Sequence, residues 1–184
     1  MKINFIKLSH INIIVDDIEN GANYYKKLFN AEENIEFPHF KNTGFSKSAG
    51  FMLKPNQVDV TIRFLSIPSA NITLELMQYF NPIGINSKKE KKTNDIGFGH
   101  ISLNISNIEE AFEYICKNDI KLISSDSNYC PFKIDDITND EFYFFDNKLE
   151  NSVTEKDKLR KLISNTRYFY FIDKYGIQWE LEQN

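Results

Sequence analysis

Two histidines and two glutamates occur in matching contexts along the sequence. His10 opens the segment HINIIVDDIEN and His100 opens HISLNISNIEE, so the two histidines lie 90 positions apart. Glu75 stands within Leu-Glu-Leu and Glu180 within Trp-Glu-Leu, and these glutamates lie 105 positions apart. Imidazoles and carboxylates together suit Zn²⁺, Ni²⁺, Co²⁺, Mn²⁺ or Fe²⁺. The four residues therefore define a candidate site for one divalent metal ion.

The repeat around the histidines indicates two related modules. Residues 10–27 and 100–117 align without a gap, and the matches include Ile18 with Ile108. A single histidine or glutamate in a strand is usually a bystander. The same residue type at the same place in both modules instead favours a shared geometry. His39 lies outside the pattern, in a proline-containing loop, and we interpret it as a surface residue.

Each module is predicted to begin with a strand and an amphipathic helix and to continue with further strands. Asp17 and Asn107 are good N-caps for the two helices. The predicted strands are 8–15, 58–65 and 71–79 in the first module and 100–105, 141–145, 167–172 and 177–182 in the second. The predicted helices are 18–29 and 108–117, and 173–176 is a predicted turn. The first module is assigned to residues 1–80, the linker to 81–96, and the second module to 97–184 with a polar, irregular insertion at about 124–165.

Strand alternation places the four candidate ligands on similar faces. Successive side chains of a strand point to opposite faces of the sheet. In all four strands one face is apolar, and the candidate histidine or glutamate lies on the other, more polar face. The apolar faces are expected to pack under the helices. The polar faces are then expected to line a hollow that holds the metal ion.

The bulk composition excludes several classes of function. The chain has 184 residues, 41% hydrophobic and 26% charged, with a net charge of −4. A broad basic surface for nucleic acid is therefore not expected. Residues 1–8 are too short and too charged for a signal peptide, and no stretch approaches the ~20 apolar residues of a membrane span. We therefore expect no membrane partner and a cytoplasmic location.

The two cysteines show no pattern of a functional site. Cys116 and Cys130 have neither zinc-site spacing nor a disulfide framework. Cys116 falls on a predicted helix and is interpreted as a small buried residue.

At these residues the chain resembles the glyoxalase, bleomycin-resistance and extradiol-dioxygenase superfamily, whose members are also called vicinal oxygen chelate proteins. The segments that carry the resemblance are LSHINIIVDDIENGANYYKKLF, ITLELMQY, GFGHISLNISNIEEAFEYI and FIDKYGIQWELEQ. The resemblance implies an α+β fold of two tandem βαβββ modules, which form a cupped, antiparallel-rich sheet with helices on its outer face. It also implies metal ligation by His10, Glu75, His100 and Glu180, and this order is similar to glyoxalase I.

The implied activity is that of a lyase or isomerase that depends on one divalent metal ion. Such an enzyme acts on a small substrate with two neighbouring oxygens through an enediolate-type intermediate, and Glu180 or Glu75 is the candidate base. A drug- or metabolite-binding resistance protein of the same fold, or a dioxygenase, is the alternative. A homodimer is one assembly that the resemblance implies.

Two features of the sequence bear on the substrate. Arg63 and Arg167 are candidates for binding a substrate carboxylate or phosphate, although a salt bridge at the rim is the favoured interpretation. The insertion, with Tyr143, Phe144 and Phe145, is expected either to cover the hollow as a lid or to be a surface excursion. The family's usual Asp-Pro-Asp-Gly turn is Asp-Lys-Tyr-Gly at 173–176, and this departure leaves the substrate open.

Overall fold

The chain folds into two compact units. The computed structural model describes residues 3–85 and 92–184, and the units divide as 1–88 and 89–184. Residues 86–91 of the predicted linker, which include most of its lysine-rich run, lie outside the described residues, as do the first two residues of the chain. No helix within the described ranges is long and apolar enough to cross a membrane.

The first unit contains a four-stranded sheet in the order β1-β4-β3-β2. Strand β1 runs parallel to β4, whereas the other neighbouring pairs are antiparallel. The elements are β1 (Ile11–Ile14), α1 (Ile18–Phe29), β2 (Glu32–Phe40), α2 (Thr43–Ser48), β3 (Asp59–Ile67) and β4 (Ile72–Asn81). Short 3-10 turns at Pro55–Gln57 and Pro68–Ala70 precede and follow β3.

Helix α1 has the bounds that the sequence predicted. The Asp17 side chain accepts a hydrogen bond from the Asn20 backbone N–H, which satisfies one of the unpaired donors at the helix start. Tyr25 of α1 is fully buried, as are Leu74 and Leu76 on one face of β4. Because alternate residues of a strand point to opposite faces, Glu75 lies on the face away from this core.

The second unit contains a sheet in the order β5-β9-β8-β6, and β7 also pairs with β8. Strands β5 and β9 are parallel, and β9 and β8 are antiparallel. The elements are β5 (Ile101–Asn104), α3 (Ile108–Lys117), β6 (Lys121–Leu122), β7 (Phe132–Lys133), α4 (Asn147–Glu150), α5 (Val153–Ile163), β8 (Arg167–Ile172) and β9 (Gln178–Gln183). Two units with helices and mixed sheets confirm the predicted α+β class.

The same contacts recur in both units. In the first unit, the Ile18 N–H donates to the side-chain oxygen of Gln78 at 2.9 Å. In the second unit, the Ile108 N–H donates to the side-chain oxygen of Gln183, also at 2.9 Å. Each glutamine lies three residues beyond the candidate glutamate of its strand, and each bond links the start of a helix to the last strand. The duplication therefore extends beyond the sequence match to the contacts that fix each helix on its sheet.

The insertion is more regular than the sequence predicted. Residues 141–145 were expected to form a strand, but they form none, and the segment instead contains helices α4 and α5. Buried Lys156 of α5 donates to the Glu150 carboxylate at 2.6 Å and to the Asn139 carbonyl at 3.2 Å. This ion pair and the Lys156 ammonium over the Tyr143 ring hold the segment together.

Two assignments made for single residues were wrong. His39 lies in strand β2 rather than in a loop, although its side chain is exposed as expected. Cys116 is exposed rather than buried, because it faces away from the sheet while Ile115 beside it is buried.

Candidate metal centre

In the first unit, His10, which directly precedes β1, forms a close pair with Glu75 of the neighbouring strand β4. The His10 Nε2 and Glu75 Oε2 atoms are 3.1 Å apart. Asn12, which is paired with Glu75 in the sheet, donates its side-chain N–H to the same carboxylate oxygen at 2.9 Å. The Ser9 hydroxyl lies 3.2 Å from His10 Nδ1. The imidazole is thus held on one side, with Nε2 directed toward the carboxylate.

The second unit repeats this pair between His100, which directly precedes β5, and Glu180 of β9. The His100 Nε2 and Glu180 Oε2 atoms are 3.4 Å apart. Ser102 is paired with Glu180 in the sheet, and its hydroxyl donates to Glu180 Oε1 at 2.9 Å. Ser102 therefore stands where Asn12 stands in the first unit. Each histidine and glutamate pair, with its strand neighbours, is called a half-site below.

The spacing within each half-site suits two ligands of one metal ion. For metal–ligand bonds of about 2.1 Å, adjacent ligand atoms are about 3.0 Å apart at right angles and about 3.4 Å apart in a tetrahedron. The observed separations of 3.1 and 3.4 Å are those of direct His–Glu ion pairs, and they also lie close to these values. Both glutamates are largely covered, at 15% and 12% side-chain exposure, whereas the histidines are about one-third exposed. The carboxylates are held in place while the imidazoles remain reachable.

The four predicted ligands are seen as two pairs, one in each unit. Across residues 3–85 and 92–184, no three or more histidine, cysteine, aspartate or glutamate side chains gather in a group that could hold a metal ion. Each pair supplies one imidazole nitrogen and one carboxylate oxygen. The chemistry of each pair fits a divalent cation.

An aromatic ring lies beside each half-site, but the two rings differ. Phe64 is paired with Glu75 across β3 and β4, and Tyr170 is paired with Glu180 across β8 and β9. The ring centroids of His10 and Phe64 are 6.1 Å apart, and those of His100 and Tyr170 are 5.2 Å apart, both edge to face. Only the second ring carries a hydroxyl that can hydrogen-bond to the glutamate.

Tyr170 lies directly opposite Glu180 in the hairpin of β8 and β9. Burial raises the pKa of Tyr170 above its ordinary value, and the neighbouring Glu180 carboxylate raises it further. The phenol therefore keeps its proton at neutral pH.

The faces that carry the two glutamates differ in polarity. In the first unit, Val60, Ile62 and Met77 form a buried cluster on the face of Glu75, and Phe40 and Phe45 pack against it. In the second unit, the polar residues Gln178 and Glu182 lie two positions either side of Glu180. Tyr168 of the paired strand β8 lies opposite Glu182 and adds a second tyrosine to this face. A ligand at the second half-site would thus meet more hydrogen-bonding groups than one at the first.

The two arginines lie on the opposite faces of their sheets. Arg63 is paired with Leu76 on the core side, is 6% exposed, and contacts the carboxylates of Glu19, Glu33 and Glu36. Arg167 is paired with Gln183 and donates to Glu109. Both arginines therefore form the salt bridges that the sequence favoured. Their placement does not support a role in binding substrate.

Sequence reasoning missed the hydroxyl and amide groups that hold the two glutamates. Strand alternation puts Asn12 and Ser102 on the same face as the histidine of their segment, but it indicates no role for them. Tyr170 was not singled out. The hairpin register would have identified Glu180 as its partner. The turn at 173–176 pairs Ile172 with Gln178, and in an antiparallel hairpin two residues earlier on β8 lie opposite two residues later on β9, which pairs Tyr170 with Glu180.

Comparison with known proteins identifies the family. The family model of the Glyoxalase/Bleomycin resistance protein/Dioxygenase superfamily matches residues 9–131, two-thirds of the chain. The chain belongs to this superfamily, as the sequence resemblance implied. No protein with a curated description matches its sequence.

Solved structures of this superfamily share the fold. A glyoxalase family protein from Bacillus cereus is 14% identical with a TM-score of 0.65, and the match covers 99% of this chain and 96% of that one. The fosfomycin resistance protein FosX from Listeria monocytogenes, complexed with Mn(II) and sulfate, is 17% identical with a TM-score of 0.52, covering 98% and 94%. A glyoxylase/bleomycin resistance protein/dioxygenase domain from Frankia sp. is 10% identical with a TM-score of 0.52, covering 98% and 93%.

Proposed function

We propose that the protein is a metal-dependent lyase or isomerase of the glyoxalase type, acting on a small substrate with two neighbouring oxygens. One divalent ion would be held by His10, Glu75, His100 and Glu180. The observation that carries this proposal is the repeated half-site, in which each unit presents one imidazole and one carboxylate at the spacing of adjacent metal ligands.

The donor set leaves the identity of the metal among Zn²⁺, Ni²⁺, Co²⁺, Mn²⁺ and Fe²⁺. The Mn(II) complex of FosX supports a divalent ion in a protein of this fold. A bound ion would supply a Lewis acid that stabilises the oxyanion formed when a proton leaves the carbon next to a carbonyl group.

The chain's own residues would move the proton. Glu75 or Glu180 would take a proton from the substrate carbon and return it to the neighbouring carbon, so that the substrate is isomerised with no net gain or loss of atoms. Both carboxylates are mostly covered, which favours proton transfer to the substrate over exchange with bulk water.

The test is proton exchange at carbon. The purified protein, loaded in turn with each candidate metal, is incubated in D₂O with a hemithioacetal or an acyl-CoA thioester, and deuterium incorporation is followed by NMR. We expect metal-dependent exchange or isomerisation with one of the two substrate classes. Replacing either carboxylate, as in Glu75→Gln or Glu180→Gln, should reduce the rate at least about a hundredfold, since general base catalysis contributes roughly 10²–10⁴-fold.

The control is Glu113→Gln, which removes an exposed helix carboxylate paired with Lys117 and should leave the rate unchanged. A metal-loaded protein that neither exchanges a proton with nor isomerises either substrate class would overturn the lyase or isomerase. Tight binding of a ligand without turnover would then indicate a binding protein, and consumption of O₂ would indicate a dioxygenase.

A further inference from the structure

Gln178, the first residue of β9, carries a buried hydrogen-bond donor. The residue is 7% exposed, and its side-chain Nε2 atom meets no hydrogen-bond acceptor within residues 3–85 and 92–184. Gln183 at the other end of the strand differs, because its side-chain oxygen accepts from the Ile108 N–H at 2.9 Å. A buried donor without a partner destabilises the folded chain, which indicates that Gln178 has a role other than folding.

Gln178 lies beside the second half-site. Alternate residues of a strand share a face, so Gln178 lies on the face of Glu180, about 7 Å from it between Cα atoms. In the parallel pair of β5 and β9, Ile101 is opposite Trp179, and one step back along both strands brings His100 beside Gln178. The main chain of Gln178 therefore neighbours both predicted metal ligands of the second unit, and its side chain shares their face.

We propose that Gln178 is a specificity residue of the second half-site, and that its Nε2–H group donates to an uncharged carbonyl or hydroxyl oxygen of the substrate. This inference rests on the proposed function. A glutamine side chain has three rotatable bonds, so its amide can turn toward a ligand on this face while β9 stays in place. A site that hydrogen-bonds a substrate oxygen rejects analogues that lack it, because the buried donor is then left unpaired.

The groups around Gln178 favour an uncharged oxygen over a carboxylate or phosphate. On this face β9 carries the carboxylates Glu180 and Glu182, and the facing residues of β8 are uncharged: Tyr168, Tyr170 and Ile172. No lysine or arginine of β5, β8 or β9 lies on this face, and Lys121 of β6 is one strand further out. An anionic group held by Gln178 would therefore lie near carboxylates and receive only an uncharged donor.

The first measurement is the urea unfolding midpoint of the metal-free protein. Gln178→Met replaces the amide with an apolar group of similar shape and should raise the midpoint by roughly 0.5 M, because the unpaired donor is removed. The matched control is Gln183→Met in the same strand, which removes the acceptor of the Ile108 N–H and should lower the midpoint. An unchanged or lowered midpoint in Gln178→Met would make Gln178 a structural residue and overturn the proposal.

The second measurement is ligand binding to the Co²⁺-loaded protein, followed by the visible absorption of the ion. The probe is hydroxyacetone, which carries a hydroxyl and a carbonyl group on neighbouring carbons. Gln178→Met should weaken hydroxyacetone binding by about three- to tenfold, which is the contribution of one hydrogen bond between uncharged groups. Gln183→Met changes the opposite face of the strand and should bind the probe within about twofold of the wild type.

The outcomes separate this inference from the proposed function. Wild-type protein that binds no Co²⁺ would overturn the proposed metal site, whatever the midpoint of Gln178→Met. A Co²⁺-loaded wild type whose spectrum does not respond to hydroxyacetone would overturn the assignment of the substrate oxygen. So would a larger loss of affinity in Gln178→Met for glycolate, the carboxylate counterpart of the probe, than for hydroxyacetone. Equal affinity for hydroxyacetone in the wild type and Gln178→Met would overturn the role of Gln178 and leave the metal site standing.

Discussion

Replacing Asp173 is expected to destabilise the second unit severely, because this carboxylate organises the turn that sets the register of β9. Asp173 Oδ1 accepts from the backbone N–H groups of Tyr175 and Ile177, at 2.8 and 2.9 Å. Oδ2 accepts from the indole N–H of Trp179 at 2.9 Å. Asp173 is 5% exposed and Trp179 is fully buried, so neither group can turn to solvent.

The size of the effect follows from these three bonds. A hydrogen bond to a charged group contributes about 1.5–3 kcal/mol, and a buried donor left without a partner costs about 1–3 kcal/mol. Water can replace the lost partners of the two backbone donors in part, but it cannot reach the indole. We therefore expect Asp173→Ala to lower the free energy of unfolding by about 3–5 kcal/mol. Asp173→Asn keeps the acceptor for the turn but not the charge, and it should lose about half as much.

Urea unfolding followed by tryptophan fluorescence measures this directly, because Trp179 is the single tryptophan of the chain. The control is Asp126→Ala, which removes an exposed bond of the same kind, from the Asn128 N–H at 2.8 Å. It should change stability by less than about 0.5 kcal/mol. If Asp173→Ala stayed within about 1 kcal/mol of the wild type, the turn would not depend on this carboxylate.

Three further predictions concern groups away from the half-sites. Arg63→Met should lower stability by about 1 kcal/mol, since its partners are solvated carboxylates, and should leave metal content unchanged; a loss of metal, measured by mass spectrometry, would place Arg63 in the site after all. The hydrogen bond from Lys156 lowers the pKa of Glu150 below its ordinary value. This ion pair therefore stabilises the fold at pH values above the ordinary glutamate pKa, and the stabilisation is lost as the pH falls through the lowered pKa of Glu150. The melting temperature should therefore fall less on acidification to about pH 3.5 in Glu150→Gln than in the wild type; equal falls would show that the pair contributes nothing. Gln183→Leu should cost about 1 kcal/mol by leaving the Ile108 N–H without its acceptor, and an unchanged urea midpoint would contradict that role.

The two helices could be predicted, and the four candidate residues could be singled out, because local rules and the repeat agree on them. Asp17 and Asn107 cap their helices as expected, and both helices have the predicted bounds. The histidines and glutamates stood out because each occurs twice at a fixed offset. The structure then placed each histidine beside the glutamate of its own unit.

The elements that were missed lack such support. Strand β2 (Glu32–Phe40) is exposed along almost its whole length and contains Pro38 and His39, so its sequence shows no clear alternation. Helix α5 is highly charged and lies in the insertion, which has no counterpart in the first module. The aromatic residues at 141–145 favour a strand by composition, yet two of them contact the Lys156 ammonium instead.

Tyr170 was missed for a different reason. Its contact with Glu180 depends on the register of a hairpin, and a shift of one residue would turn its side chain to the other face. That register is fixed by the bonds of Asp173 and by Gly176, whose φ of 84° is readily adopted only by glycine. Local sequence patterns do not define such a register to a single residue.

The most direct test of the proposed site is the metal content of the purified protein after loading and removal of excess ion. The wild type and His39→Ala, whose histidine lies outside both half-sites, should each retain about one divalent ion per chain. His10→Ala and His100→Ala should both lose the ion, although they alter different units. Two ions per chain in the wild type, or full retention of the ion in either of these variants, would contradict a single site built from both half-sites.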